Sequence, residues 1–245
     1  MTHHTAANSP DTEISHPYFP RDAPIQNYAP NVASLPVILV GFGALISVFV
    51  HRVVVVARRC NPELKKGYGD QLVVAWFALC GWLHIFFEGY FVLNHATLAS
   101  SQSLFSQLWK EYGLSDSRYL SSDPFMLCIE TLTTLIWGPL SLLTAYYITQ
   151  GKKKQAQRHI VQIIVCIGHL YGVALYYGTC GYAERMRGIV FSRPEFMYYW
   201  VYYAGLNAPW AIVPAVLLWQ SIKEIVRAFD KAGQDGGQKE DRKAN

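Results

Sequence analysis

Charged residues are scarce in this 245-residue chain, and their shortage argues against an ordinary water-soluble domain. Asp, Glu, Lys and Arg make up 16% of the sequence, whereas a typical soluble domain contains about 25%. Hydrophobic residues account for 51% of the chain and aromatic residues for 14%. We therefore expect much of the protein surface to face lipid rather than water.

Several catalytic and binding motifs are also missing. The sequence contains no HxxxH or HxxHH set of the kind found in membrane di-iron enzymes, no glycine-rich phosphate loop or dinucleotide fingerprint, and no GxSxG elbow. The five cysteines have no regular spacing, so they predict neither a disulfide framework nor a zinc site. We accordingly expect no di-iron, zinc, phosphate-loop or dinucleotide site.

Five apolar segments are long enough, or nearly so, to cross a bilayer core, which takes about 20 helical residues. They are too long for barrel strands and show no strict alternation, so the prediction is an all-α polytopic bundle of about five transmembrane helices. The segments lie at about residues 35–57, 71–94, 124–149, 160–182 and 197–219, with a helical extension towards Phe229.

The polar ends of the chain predict three regions. Residues 1–31 form a hydrophilic N-terminal segment, residues 32–228 form the membrane domain, and residues 229–245 form a charged tail that we expect to be disordered.

Basic residues predict the orientation of the bundle. They are concentrated in the loops after spans one and three and in the C-terminal tail, which lie on one side if there are five spans. The positive-inside rule assigns that side to the cytosol, although the far-side loop 183–196 also holds three arginines. The absence of a basic soluble face argues against a nucleic-acid partner.

Three ionisable residues inside the spans are the strongest candidates for function. His84 and Glu88 lie one helical turn apart in span two, and Glu130 lies in span three. Ionisable groups at bilayer depth cost several kcal/mol unless they are paired or hydrated. At 1.5 Å per residue, both glutamates lie about 9 Å, and His84 about 15 Å, below the far-side boundary. The three residues are predicted to form the active site.

Other polar residues in the spans have both functional and structural interpretations. Asn207 lies at the depth of His84 and either supports the site or joins two helices by a hydrogen bond. Trp210, three residues later, lies deeper than an interfacial aromatic belt. His169 in span four could simply bond a neighbouring carbonyl group.

The residue types inside the spans indicate proton chemistry on an apolar ligand, or ligand binding alone. A carboxyl group in an apolar site can keep its proton and act as a general acid. A second carboxylate or a histidine can take a proton back. An aromatic face such as that of Trp210 can stabilise a transient cation.

The sequence resembles the emopamil-binding protein family, the 3β-hydroxysteroid Δ8,Δ7-isomerases of the endoplasmic reticulum. The matching stretches run in order through most of the chain. They are HPYFP (16–20), NYAPN (27–31), WFALCGWLHIFFEGYFVL (76–93), SQLWKEY (106–112), DSRY (116–119), CIETLTTLIWGPLSL (128–142), LYG (170–172) and LNAPW (206–210).

This resemblance implies a five-helix fold and a cofactor-free isomerisation of a Δ8-sterol. Protonation at C9 would give a cation at C8, and loss of a C7 proton would complete the shift. It also implies inhibition by cationic amphiphilic amines and residence in the endoplasmic reticulum membrane, with a lumenal N-terminus and a cytosolic C-terminus. The carried-over residues are His84, Glu88 and Glu130 for catalysis, with Thr133, Asn207 and Trp210 in support.

Within this scheme, Thr133 and Asn207 are expected to hold the acid–base groups by hydrogen bonds, and Trp210 is expected to face the cation. The sequence departs from the animal enzymes of the family at two positions: His169 stands where they carry Gln, and Val173 where they carry an acid. These departures bear on substrate preference more than on the chemistry.

Other functions stay open at this point. A non-catalytic sterol or drug binder of the same fold would keep the pocket, and an isomerase or cyclase for another polycyclic terpenoid would use the same protonation chemistry. A transporter is disfavoured by the small number of spans and the lack of repeats. A homodimer is also open.

Overall fold

A computed structural model describes residues 16–244, with side chains described as far as residue 234. Over that range the chain forms helices and no strands, and five helices are long and apolar enough to cross a membrane. The predicted all-α bundle is therefore confirmed, and the protein is a multi-pass membrane protein.

The spanning helices are α1 (Leu35–Cys60), α2 (Gly69–Asn94), α4 (Pro124–Thr149), α5 (Gln155–Arg187) and α6, which is π-helical at Met197–Gly205 and α-helical at Pro209–Ala244. The short helix α3 (Leu104–Tyr112) lies outside the spans, and 3₁₀ turns occupy Pro62–Lys66, Ser117–Tyr119 and Gly151–Lys154.

The helix bounds agree best with the prediction where sequence signals mark both ends. Helix α4 covers residues 124–149 as predicted, with Pro124 at its first turn and the Asp123 side chain accepting the Met126 N–H. Helices α5 and α6 extend beyond their apolar segments, because polar residues can continue a helix outside the bilayer. Helical backbone runs on to Ala244, through the segment for which the sequence favoured disorder. The three-region division stays a prediction, and residues 1–15 lie outside the described range.

The loops after spans one and three meet at one end of the bundle. The Asn61 side chain donates to the Ile148 carbonyl at 3.0 Å, and Arg158 pairs with Asp70 at 2.6 Å. Two of the three basic regions therefore lie together, as the five-span topology requires.

The opposite end is closed by an ordered cap, which we define as residues 16–33 and 95–123. The Tyr18 hydroxyl donates to the Lys110 carbonyl at 3.0 Å, and the Lys110 ammonium donates to the Ala29 carbonyl at 2.8 Å. Asn31 donates to the Gln107 carbonyl at 2.9 Å. The sequence treated these segments as a terminal extension and a loop, but the structure packs them over the bundle.

A buried ion pair joins the cap to α5. The Arg118 guanidinium contacts Asp116 at 2.6 Å and donates to the Thr179 hydroxyl at 2.9 Å. It also lies over the ring of Tyr176, with 5.3 Å between the guanidinium carbon and the ring centroid. The side chains of Asp116 and Arg118 are only 0% and 4% exposed, so the pair depends on its own partners rather than on water.

Replacing Arg118 by Gln should destabilise the fold by about 3–5 kcal/mol, because Asp116 would keep a buried and unpaired charge. Thermal and denaturant unfolding in detergent would measure the loss. The matched control is Arg227→Gln, which breaks the exposed Arg227–Glu224 pair of α6 and should change stability little. Equal effects of the two substitutions would contradict the role of the buried pair.

Two glycines allow the helices that carry the site to approach closely. A Cβ atom on Gly138 of α4 would lie 2.7 Å from the Ile85 side chain and 3.2 Å from the His84 Cβ. A Cβ atom on Gly168 of α5 would lie 2.8 Å from the ring of Trp137. Both positions therefore require glycine, and α2, α4 and α5 meet at the level of His84.

Replacing Gly168 by Ala should therefore destabilise the bundle by about 1–3 kcal/mol through overpacking against Trp137. The control is Gly172→Ala, one turn along α5, where no described atom lies within 4 Å of the added Cβ. That change should be neutral or stabilising by up to about 1 kcal/mol, because Ala favours helix more than Gly. Melting temperatures in detergent would separate the two. If Gly168→Ala melted no lower than Gly172→Ala, the close approach would be excluded.

Candidate active site

The helices that carry the predicted site residues change to π-helical geometry close to those residues. The π-helical segment Leu83–Glu88 of α2 contains His84 and Glu88, and a second one, Thr133–Trp137, lies in α4 just after Glu130. A third, Met197–Gly205, ends shortly before Asn207. A π turn inserts a wider coil into a helix and is frequent at functional sites. His84 and Glu88 lie within such a segment, and Glu130 and Asn207 lie next to one.

His84 and Glu88 form a hydrogen-bonded pair in the π-helical segment of α2. The Nδ1 atom of His84 lies 2.7 Å from the Oε2 atom of Glu88, a distance typical of a hydrogen bond between ionisable groups. His84 is buried, and the Glu88 side chain is 16% exposed. The sequence placed these residues on one helical face, and the structure confirms that they are in contact.

Glu130 lies buried in α4 and receives a hydrogen bond from the cap. The Tyr119 hydroxyl donates to its Oε1 atom at 2.9 Å. Burial raises the pKa of Tyr119 well above its usual range, so this hydroxyl keeps its proton and remains a donor. Sequence reasoning did not assign Tyr119 to the site, although it ends the matching stretch DSRY, because hydropathy and helical spacing do not show which distant residue a loop tyrosine contacts.

The two glutamates are neighbours. The carboxyl groups of Glu88 and Glu130 lie on packed segments of α2 and α4, near enough for their charges to interact, which places Glu130 and Tyr119 beside the His84–Glu88 pair. Two carboxyl groups held together in an apolar interior share a proton at lower cost than they hold two negative charges. The structure thus brings all three predicted residues into one polar cluster, and their catalytic role stays a prediction.

His169 of α5 also belongs to this cluster. Its Nε2 atom lies 3.0 Å from the Nε2 atom of His84, and its side chain is buried. The sequence offered a bond to a neighbouring carbonyl for His169, but the partner is the His84 side chain.

Cys80 lies one turn before His84, and the ligand atoms of Cys80, His84 and His169 all lie within 4.8 Å of one another, close enough to hold a metal ion. The two histidine nitrogens that would face such an ion are already paired with each other, so hydrogen bonding accounts for their positions. The absence of a metal stays an expectation.

The threonines of α4 have roles that differ from the expected one. The Thr133 hydroxyl donates to the Ile129 carbonyl of its own helix at 2.8 Å, rather than to either glutamate. The Thr134 hydroxyl instead donates to the His84 carbonyl at 2.9 Å. A mid-helix threonine often bonds the carbonyl four residues earlier, which explains Thr133. Thr134, rather than Thr133, therefore joins α4 to α2 at His84.

Asn207 and Trp210 also have partners other than the acid–base groups. The Asn207 amide donates to the Tyr112 hydroxyl at 2.9 Å and to the Tyr203 carbonyl at 2.8 Å, so it joins α6 to the cap. The Trp210 ring packs on Trp76 of α2 with 5.3 Å between ring centroids. Neither indole N–H has a partner within residues 16–244. The support of the reaction by Asn207 and Trp210 stays a prediction.

Comparison with known proteins identifies the family. Residues 104–221 match the EXPERA (expanded EBP) superfamily. The chain is 35% identical over 213 residues to the 3-beta-hydroxysteroid-Delta(8),Delta(7)-isomerase of Mus musculus, a match that covers 87% of this chain and 90% of the mouse protein. The chain belongs to the emopamil-binding protein family.

Plant members of the emopamil-binding protein family are similar to the chain as well. A probable 3-beta-hydroxysteroid-Delta(8),Delta(7)-isomerase of Oryza sativa subsp. japonica is 34% identical, with 87% of this chain and 94% of the rice protein covered. An isomeliandiol synthase of Melia azedarach is 36% identical, with 66% of this chain and 74% of the relative covered. The resemblance expected from the motifs is confirmed.

Replacing Tyr119 by Phe should lower the conversion of a Δ8-sterol to its Δ7 isomer by about tenfold or more, because a hydrogen bond to an ionisable group is worth about 1.5–3 kcal/mol. Turnover of the purified protein would measure the effect. Tyr90→Phe is the control, since that hydroxyl pairs with Ser103 and Ser106 outside the cluster. A Tyr119→Phe variant that kept full turnover would show that the reaction does not depend on this bond.

Proposed function

We propose that this protein is a sterol Δ8,Δ7-isomerase that moves a ring double bond inside the membrane by adding one proton and removing another. The observation that carries the proposal is the buried cluster of His84, Glu88 and Glu130 in a chain of this family. The nearly full-length matches to relatives named for that reaction support the assignment.

The chemistry needs an acid and a base on the same ligand. A proton added at C9 of a Δ8-sterol leaves the positive charge at C8, and loss of a proton from C7 forms the Δ7 bond. One proton enters and one leaves, so the sterol keeps its composition and oxidation state. No step in this scheme calls for a cofactor.

The structure offers two acid–base groups for these two transfers. Glu88, held by His84, forms one, and Glu130, held by the Tyr119 hydroxyl, forms the other. Because their charges interact, one group can hold the proton that the other lacks. The proton added to the sterol and the proton removed from it are then handled within a single buried cluster.

Aromatic side chains fit the cation that the scheme requires. Trp210 and Trp76 form a paired surface between α6 and α2, and indole faces attract positive charge. A cationic amphiphilic amine would mimic the C8 cation in charge and apolar shape. We therefore propose that such amines inhibit the protein and that Trp210 contributes to their binding.

The proposed location is the endoplasmic reticulum membrane, with the cap in the lumen and the C-terminus in the cytosol. The basic loops after spans one and three share one end of the bundle, and the positive-inside rule puts that end in the cytosol. A homodimer remains a hypothesis.

The second candidate function is a protonation reaction on another polycyclic substrate. A relative named isomeliandiol synthase is 36% identical to the chain, and one named protoglabretal synthase is 30% identical over 88% of this chain. The same cluster would serve a protonation reaction on a different ring system. Product analysis therefore has to include substrates other than Δ8-sterols.

Replacing Glu88 or Glu130 by Gln should abolish deuterium uptake from heavy water into the sterol product, with a loss of at least about 100-fold, since positioned proton transfer contributes about 10²–10⁴-fold. Mass spectrometry of sterols incubated with the purified protein would measure it. Glu63→Gln, in the exposed Glu63–Lys66 pair, is the control and should keep normal uptake.

Full activity in both glutamate variants would contradict the assignment of the site. Expression in cells that lack Δ8-isomerase activity tests the function itself through their sterol profile. Accumulated Δ8-sterol despite correct membrane insertion would favour the non-catalytic binder, and a new triterpenoid product from an offered precursor would favour the second candidate.

A further inference from the structure

His169 has a position that the two proton transfers leave unexplained. It lies on α5, across the bundle from α2, and its side chain is buried. Its Nε2 atom meets the Nε2 atom of His84 at 3.0 Å, with 5.1 Å between the ring centroids. A second histidine in contact with the first determines which nitrogen of His84 can carry the proton.

For a neutral His84, hydrogen bonds at both ring nitrogens leave two arrangements. In one, the His169 Nε2–H donates to His84, so the His84 Nδ1–H donates to Glu88. In the other, the His84 Nε2–H donates to His169, so the His84 Nδ1 atom must accept a proton from Glu88. The two arrangements place the mobile proton on opposite sides of the His84–Glu88 pair.

The other ring nitrogen of His169, Nδ1, distinguishes between the two arrangements. Its Nδ1 atom is buried and has no hydrogen-bond partner anywhere in the described part of the chain. In the second arrangement, and equally if His84 carried a proton on both nitrogens, this atom would be a buried N–H with nothing to bond, which is rare in proteins. In the first it is an unprotonated nitrogen, and no donor is left unpaired.

We infer that His169 is a positioning residue that fixes the tautomer of His84, so that the His84 Nδ1–H points at Glu88. The inference rests on the proposed function, because the tautomer matters to the reaction only if the His84–Glu88 pair exchanges protons with the sterol. Glu88 is then held as a hydrogen-bond acceptor, ready to take the C7 proton. Glu130, the other carboxyl group of the cluster, is then the remaining source of the proton added at C9.

Three substitutions at residue 169 test this role. His169→Gln keeps an N–H donor at a similar reach, His169→Asn keeps the amide but shortens its reach by one carbon, and His169→Leu removes the donor at similar volume. We expect kcat to fall by about tenfold or more in the Asn and Leu variants, with KM little changed, and to stay within a few-fold of wild type in the Gln variant. His159→Leu, which removes another buried histidine of the same helix bonded to Ser221, controls for general damage and should keep normal kcat.

A spectroscopic measurement reports the tautomer directly. In protein labelled with ¹⁵N-histidine, the side-chain signal that disappears in His84→Gln belongs to His84. Its chemical shifts should show a proton on Nδ1 and none on Nε2 in the wild type and in His169→Gln. A mixture of tautomers is expected in His169→Leu.

Several results would overturn the inference. They are a proton on the His84 Nε2 atom in the wild type, full kcat in His169→Leu, and an equal loss in the Gln and Leu variants. One equivalent of zinc in the purified protein that is lost in Cys80→Ser would also do so, since it would make the cluster a metal site. If the wild type does not isomerise any sterol, the proposed function fails, while the ¹⁵N spectrum still decides the hydrogen-bond assignment.

Discussion

The free-energy cost of ionisable groups in an apolar interior dominates this structure. His84, Glu88 and Glu130 lie within membrane-spanning helices, where an unpaired charge costs several kcal/mol. Each of them has a hydrogen-bonding partner: His84 contacts Glu88 and His169, and Glu130 accepts from Tyr119. The bundle is arranged so that these pairs form, and the paired groups are the ones on which proton transfer would depend.

The cap and the irregular helices serve this arrangement. The cap supplies Tyr119 to Glu130 and Tyr112 to Asn207, and the buried Asp116–Arg118 pair ties it to α5. The π-helical segments of α2 and α4 lie against each other, where the Thr134 hydroxyl satisfies the His84 carbonyl. Regular helices would direct these side chains differently, so local irregularity and long-range packing both contribute to the geometry of the site.

Local patterns predicted the fold well, and part of the site. Hydropathy over about 20 residues is a local property, so it identified five spans, and the bounds of α4 were those expected. The four-residue spacing of His84 and Glu88 put them on one face, and counting depth put Glu130 at the level of Glu88. The roles of Thr133, Asn207 and Trp210 did not follow, because the partner of each depends on the packing of other helices.

The sequence by itself determined that this protein crosses the membrane and holds an acid–base trio inside it, since both properties follow from residue type and spacing along single helices. Only the tertiary structure decided which groups hold that trio: Tyr119 from the cap, His169 from α5 and Thr134 from the π-helical segment of α4. Their contacts with the trio bring together groups up to 85 residues apart in the chain. No spacing rule reports such pairs, because they exist only once the helices have packed.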